Sequence, residues 1–481
     1  MNIQNLIKTY KIIGVTSNSK EVRKNFAFVA IKGEKFDGNN YITQAIDNGA
    51  CLIITESDEF FKKYNNKCKI IKVENARKTL AEFASEIYKK IPNNLLAVTG
   101  TNGKSSVVHY IGQLASYMSY RASTIGTLGI KKYANNNIVI HKDTGLTTID
   151  VCELGRQLED LYKDSFDICA VEASSIGLDQ YRLYGRKFKV AGFTSFTQDH
   201  LDYHLNMKSY LSAKLRLFSQ HQDETGFAII NSGIDDFSEI VKFLKENSRR
   251  YITYGKNGDC KILIHKSDIN GQEFSIKFND QEFNAFTSVI GEFQVGNIVL
   301  SILMLNQIGF DLEKLIQQVP KLSAPDGRLE RTENSGLGSK IFIDYAHSPD
   351  ALENVLKELK KTMKNNDFKL WVVFGCGGDR DKIKRPLMGE IALSYADCRI
   401  VTDDNPRTEN PEEIRKEIIA NREGFIEVGD RREAISFAIK NMRENDILLI
   451  AGKGHEDYQI IGDKKLFFSD KDCAMEILKK G

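Results

Sequence analysis

Ala97-Val-Thr-Gly-Thr-Asn-Gly-Lys-Ser-Ser106 is the stretch on which the reading of this chain turns. The apolar run Leu95 to Val98 predicts a buried strand. After the loop, Val107, Ile111, Leu114, Ala115 and Met118 recur at helical spacing. Strand, tight loop and helix in that order form a phosphate cradle. Backbone N–H groups and the positive end of the helix face an anion, a lysine neutralises charge, and a hydroxyl reaches a metal. Gly100, Thr101, Asn102, Gly103, Lys104, Ser105 and Ser106 are therefore candidate nucleoside triphosphate contacts. The full Walker spacing is not met, because Val98 stands where its first glycine belongs. A plain strand-to-helix turn is the competing reading.

Length and composition bound the rest. A chain of 481 residues predicts about three domains. Its 67 Lys and Arg against 65 Asp and Glu leave a net charge of +2, so no global field selects nucleic acid or an anionic membrane. The eight cysteines include no C-x-x-C pair, which favours reduced, buried thiols over disulfides or a zinc cluster. No leader pattern and no run of 18 apolar residues is found. A cytoplasmic protein without membrane insertion or a nucleic-acid partner is expected, and a monomer.

Upstream of the loop, residues 1–90 alternate apolar runs (Phe26 to Ile31, Cys51 to Thr55, Ile70 to Val73) with amphipathic stretches, predicting a small α/β domain. Downstream, residues 91–323 predict a central domain with a mostly parallel sheet. Its strand Phe166 to Val171 runs into Glu172-Ala-Ser-Ser-Ile-Gly-Leu178, and Val190 to Phe196 into Gln198-Asp-His-Leu-Asp-Tyr-His204. Ligands of open parallel sheets collect beyond the carboxyl ends of the strands, where Glu172, Asp199 and His200 fall. In Tyr210 to Phe218, Lys214 flanks an apolar helix stripe, a pattern that more often marks a snorkelling surface residue. A helix is expected over Ile298 to Leu305. Residues 324–481 predict a Rossmann-like α/β domain with four strands, each ending in a polar loop. Those loops carry Asp344-Tyr-Ala-His347, Gly375-Cys-Gly-Gly-Asp-Arg-Asp381, Asp403-Asp-Asn-Pro-Arg407 and Gly452-Lys-Gly-His-Glu456. The dinucleotide fingerprint G-x-G-x-x-G is absent, which disfavours a nicotinamide enzyme.

With Thr99-Gly-Thr-Asn-Gly-Lys-Ser105, Glu172 to Leu178, Asp199 to His204, Tyr210-x-x-Ala-Lys214, Asp344 to His347 and Gly452 to Glu456 in this order, the chain resembles the Mur ligases over nearly its whole length. It most resembles the branch that adds the third amino acid to UDP-N-acetylmuramoyl-L-alanyl-D-glutamate. The resemblance implies a first domain for the UDP end of that substrate, a central ATPase and a third domain with the amino-acid pocket. Ser19 and the loop Glu34 to Phe36 would hold the UDP-muramoyl group, and Thr147, Thr148, Ser174, Gln180 and Arg182 the peptide end. Asn297, Arg328 and Asp344 would contact ATP. Magnesium would be held by Ser105 and Glu172, with a second ion at His200 and a CO2-derived carbamate on Lys214. Lys104, Lys214 and His200 would serve catalysis, and His347 is a candidate base.

The same resemblance points to meso-2,6-diaminopimelate as the added amino acid, held by Arg380, Asp404, Asn405, Pro406, Arg407, Gly452 and Glu456. A guanidinium at position 407 suits its distal carboxylate and would repel the ammonium of free lysine. Three departures from the family pattern stand at Ile176, at Asn18-Ser-Lys20 and at Gln294; none removes an expected metal ligand or Lys104. The expected reaction is ATP-dependent amide formation through an acyl phosphate. A lysine-adding or folylpolyglutamate-type ligase, or an ATP-driven switch on a macromolecule, is the alternative.

Overall fold

The computed structural model describes residues 2–33, 36–142, 144–333, 340–363 and 368–480. The chain forms two compact units. One takes in the chain to Asp259 together with Leu300–Leu315, and the other Cys260–Val299 and the chain from Ile316 onward.

In the first unit, β1 (Gly14–Thr16), β2 (Phe26–Ala30), β3 (Ala50–Thr55) and β4 (Ile70–Lys72) form a parallel sheet in that order. The apolar runs place Ala27, Phe28, Val29, Leu52, Ile53 and Ile54 out of solvent, as strands covered on both faces require. The helix Ala76–Ile87 starts where the Asn75 side chain accepts the Lys78 N–H, and buries Leu80, Phe83 and Ala84.

A second sheet contains β5 (Asn94–Thr99), β6 (Ala122–Gly126), β7 (Gly129–Ala134), β8 (Asn137–Lys142), β9 (Ile168–Glu172), β10 (Phe188–Phe193), β11 (Gln222–Asn231) and β12 (Arg250–Gly255). Within this unit they run β12-β11-β10-β5-β9-β6-β7-β8. The pairs from β12 to β6 are parallel; β7 and β8 add antiparallel neighbours. The phosphate loop thus leaves an inner strand whose Leu96, Ala97 and Val98 are fully buried. Each such Leu or Val contributes about 1.5–3 kcal/mol by burial, enough to hold a strained loop at the strand end.

The second unit holds an antiparallel meander, β13 (Cys260–Asp268), β14 (Gly271–Phe278) and β15 (Gln281–Thr287). A six-stranded sheet follows, made of β16 (Glu330–Arg331), β17 (Ile341–Asp344), β18 (Leu370–Phe374), β19 (Cys398–Val401), β20 (Ile426–Glu427) and β21 (Ile447–Ala451). Its order is β16-β17-β21-β18-β19-β20, parallel apart from β16. A hairpin, β22 (Tyr458–Ile461) and β23 (Lys464–Phe467), completes the strands. The helix expected from Ile298 begins at Glu292. Gln294 and Asn297 belong to it although they are polar, because they are buried and joined by a 3.0 Å hydrogen bond, which masks the apolar period.

Candidate functional site

Gly100 and Gly103 have φ of +143° and +88°, the region that favours glycine. A Cβ on Gly100 would lie 1.9 Å from Thr194 Oγ1, so β10 approaches the loop too closely for any side chain there. The loop is tied to the end of β10: Thr101 N–H donates to Ser195 O (2.8 Å), Asn102 N–H to Ser195 Oγ (2.9 Å), and Thr194 Oγ1 to Asn102 O (2.5 Å). Ser105 and Ser106 open the helix Lys104–Tyr117 and are buried.

Two lysine amines converge on one carbonyl. Lys104 Nζ and Lys214 Nζ each donate to Gly100 O at 2.8 Å, and Lys104 also donates to Thr101 O at 2.7 Å. Lys214 is 1% exposed, so the surface reading of its helix position is corrected: the stripe of Met207–Arg216 turns it inward, with Nζ 4.3 Å from the Tyr210 ring centre. Burial, with Lys104 adding to it, pushes its pKa well down. Tyr210, whose hydroxyl lies 3.2 Å from Thr101 Oγ1, is a site residue the sequence reading left without a role. His200 sits at φ +52° and its N–H donates to Asp199 Oδ1. Burial, then the nearby lysines, lower its pKa against the pull of Asp199.

Glu172, at the end of β9 and 1% exposed, accepts from Thr127 N–H (3.0 Å) and Thr127 Oγ1 (3.1 Å). Nothing in the sequence marked Thr127, which follows a strand of small residues. From Glu172 a polar chain continues to the expected peptide-end residues. Thr147 lies 3.0 Å from Thr127, Thr148 donates to Glu172 O, and Ser174 and Thr148 share a 2.9 Å contact. Arg182 donates to Thr148 O and Gln180 Oε1. Ser19 donates to Gln44 Oε1 at 2.6 Å in the first sheet domain. Glu34 and Lys35 lie outside the described residues; Phe36 is exposed. Hard oxygen donors at Ser105 and Glu172 suit magnesium. Among the described residues no three His, Cys, Asp or Glu side chains converge as a metal site. Metal there would be shared with phosphate oxygens.

In the second unit, Asp344 closes β17 and accepts Leu329 N–H (2.7 Å) and Ala346 N–H (2.8 Å). Burial raises its pKa to about 6, against the lowering field of Arg328. Arg328 stacks its guanidinium 4.7 Å from the Tyr345 ring centre. His347 Nδ1 lies 2.9 Å from Tyr345 O, a pure acceptor, which makes Nε2 the basic nitrogen. Asn297 donates to Gln294 Oε1.

The loops after β18 and β19 meet at Arg407, and the loop after β21 meets the neighbouring Asn405. Arg407 Nη1 donates to Gly378 O (2.8 Å), while Nε and Nη2 make no hydrogen bond among the described residues, so one edge of the fork is open. Asn405 Nδ2 donates to Glu456 Oε2, which also pairs with the buried Lys453 at 3.2 Å. Sequence reading missed Lys453. Asp404 is 8% exposed, and a Cβ on Gly452 would lie 2.8 Å from its Oδ2. Pro406 is buried beside it, and Arg380 is exposed on the glycine loop.

Comparison with known proteins matches the chain in three segments. Three family models match: the Mur ligase family catalytic domain at residues 11–88, the Mur ligase middle domain at 98–305, and the Mur ligase glutamate ligase domain at 327–454. The chain is 45% identical over 481 residues to the "UDP-N-acetylmuramoyl-L-alanyl-D-glutamate--2,6-diaminopimelate ligase" of Rickettsia prowazekii (strain Madrid E), covering 99% of this chain and 98% of the relative. A solved structure of a ligase of that name superposes with a TM-score of 0.69 at 31% identity, covering 98% and 95% of the two chains. The MurF ligase from Thermotoga maritima in complex with ADP shares the fold, with a TM-score of 0.62 at 20% identity over 98% of each chain. Matched along its length in sequence and in three-domain architecture, the chain belongs to the Mur ligase family.

Proposed function

We propose that this chain adds meso-2,6-diaminopimelate to the D-glutamate of UDP-N-acetylmuramoyl-L-alanyl-D-glutamate in an ATP-dependent amide ligation, a step of cytoplasmic peptidoglycan precursor synthesis. The observation that carries the choice of amino acid is the open edge of Arg407, a donor pair matched to a carboxylate. Full-length relatives of that name support it.

The substrate's γ-carboxylate attacks the γ-phosphate of ATP and releases ADP; the amine then attacks the carbonyl carbon of the acyl phosphate, loses a proton, and expels inorganic phosphate as the amide forms. Lys104 turns from the loop carbonyls to the phosphates and offsets their charge. Asn297, Arg328 and Asp344 contact the nucleotide. The Glu172, Thr148, Ser174, Gln180 and Arg182 chain orients the peptide end, and Ser19 the UDP-muramoyl end. Magnesium, held by Ser105 and Glu172 and at a second position by His200 and carbamylated Lys214, would supply further charge neutralisation. Lys214 suits the carbamate because a buried amine of lowered pKa is neutral enough to take up CO2. In the pocket, Arg407 and Arg380 face the distal carboxylate, Glu456 the ammonium, and Asp404, Asn405, Pro406 and Gly452 shape the floor. His347, with Nε2 its basic nitrogen, is assigned the removal of a proton from the incoming amine. We assign small-molecule partners only and a monomer.

The test is phosphate release with ATP, magnesium and the UDP-dipeptide, comparing meso-diaminopimelate with L-lysine. Turnover with diaminopimelate is expected, with KM rising about 30-fold or more in Arg407→Ala. Preference for lysine in the parent would discard the pocket assignment.

A further inference from the structure

Two loops carry the arginines of the amino-acid pocket, Gly375–Asp381 after β18 and Asp403–Glu409 after β19, and neither is regular structure. Irregular loops are poor platforms for a bidentate clamp, which needs its donors fixed to a fraction of an ångström. Something must make these two rigid, and the arrangement beneath them does so.

Arg385, at the start of the helix Lys384–Tyr395, is 0% exposed. Its Nη1 and Nη2 each donate to Glu409 at 3.0 Å, and Nη2 also to Gly377 O at 3.2 Å. Glu409 in turn accepts Asp379 N–H at 2.6 Å and pairs with Lys382 at 3.0 Å. Arg385 thus touches both loops, and Glu409, a residue of the second, reaches back to the backbone of the first. Around this bolt the loops are laced directly. Gly378 N–H donates to Asn405 O (2.9 Å), Thr408 Oγ1 to Asp379 Oδ1 (2.7 Å), and Arg407 Nη1 to Gly378 O (2.8 Å). A Cβ on Gly378 would lie 1.9 Å from Pro406 O, so the close approach of the loops depends on that glycine. Arg385 holds a separate ion pair to Glu417 (2.7 Å), which lies on the helix Pro411–Ile419 and touches neither loop.

We propose that Arg385 and Glu409 are positioning residues for amino-acid selection, their ion pair locking the two loops so that Arg407 presents its open edge at one fixed angle. The inference rests on the amino-acid pocket proposed above. The side-chain hydrogen bonds from Arg385 keep Glu409 ionised down to a pKa of about 2, so the lock is closed at every working pH.

The test compares the parent with Glu409→Gln and Glu417→Gln in the phosphate-release assay. Glu409→Gln is expected to raise the KM for meso-diaminopimelate about 10- to 100-fold and narrow its preference over L-lysine, with the KM for ATP unchanged. Glu417→Gln, which removes charge from the same arginine without freeing a loop, is expected to leave all three unchanged. An unchanged KM for diaminopimelate in Glu409→Gln overturns the proposal, as does an equal effect of Glu417→Gln. So does a fall in kcat and in ATP binding that tracks Tm alone. If Glu409→Gln does not fold, Thr408→Val, which cuts one surface tether, should show the same split at about threefold, and no split counts against the proposal. A parent inactive with diaminopimelate would overturn the pocket assignment instead. Amide exchange at Gly378 and Asp379 would then decide the lock by itself, faster exchange in Glu409→Gln supporting it and equal exchange overturning it.

Discussion

Lys214 and Lys104 share the Gly100 carbonyl, which puts two amines at most twice 2.8 Å apart in a buried place. Both cannot stay charged without a large Coulomb cost, and Lys214 is the one burial disfavours. Intact-mass and peptide analysis in bicarbonate should find one CO2 added at Lys214. Lys214→Ala should lower kcat roughly 100- to 1000-fold; full activity in that variant would remove the carbamate from the mechanism. Asp344 yields a pH prediction. Its pKa rises from 3.8 to about 6 in the folded chain, so the native state binds the proton more tightly. The stability this gives is fully present below about pH 4 and is lost as pH rises through about 6, a difference of about 3 kcal/mol. Urea unfolding followed by the fluorescence of Trp371 should show the parent losing stability relative to Asp344→Asn across that interval. A constant gap would refute it. These residues could be named from the sequence but their state could not: Lys214 carries a surface pattern, and it is the loop after β5 that its buried amine meets.

At the scale of elements, the phosphate loop is held by contact with β10 as much as by its own glycines. Gly100→Ala combines a φ of +143° with a Cβ 1.9 Å from Thr194 Oγ1. We expect the KM for ATP to rise about tenfold or more while the circular dichroism of the sheet is kept; unchanged ATP affinity would mean that the loop adapts. The inner strands of both units were legible because parallel, doubly covered strands are written as apolar runs, as in Leu95 to Val98 of the first and Ile447 to Ile450 of the second. β6 was not, since Ala122-Ser-Thr-Ile-Gly126 is small and polar, and Ser123 and Thr124 are buried all the same. The hairpin β22–β23 escaped as well, because its apolar residues are exposed or half-buried and too few to set a period.

Across the whole molecule, each of the two compact units carries its own set of candidate site residues. Among the described residues no helix is long and apolar enough to cross a membrane. In the second unit the fully buried Arg431–Asp470 pair, with both contacts at 2.7 Å and a further bond to Ala451 O, joins the last helix, Asp470–Lys480, to the end of β21. Removing one partner of such a pair costs about 3–5 kcal/mol. Asp470→Asn should therefore move the urea midpoint read by Trp371, the chain's single tryptophan, and an unmoved midpoint would deny the pair that weight. Arg407 has a φ of +51° and also supports the Gly378 carbonyl with Nη1. In evolutionary terms this makes exchange of the amino-acid donor a constrained path. A lineage abandoning this arginine meets left-handed backbone that most side chains resist, so glycine and asparagine are the cheapest successors. Each leaves the neighbouring loop short of a bond, and compensating change at Gly378 or Pro406 would be selected alongside it.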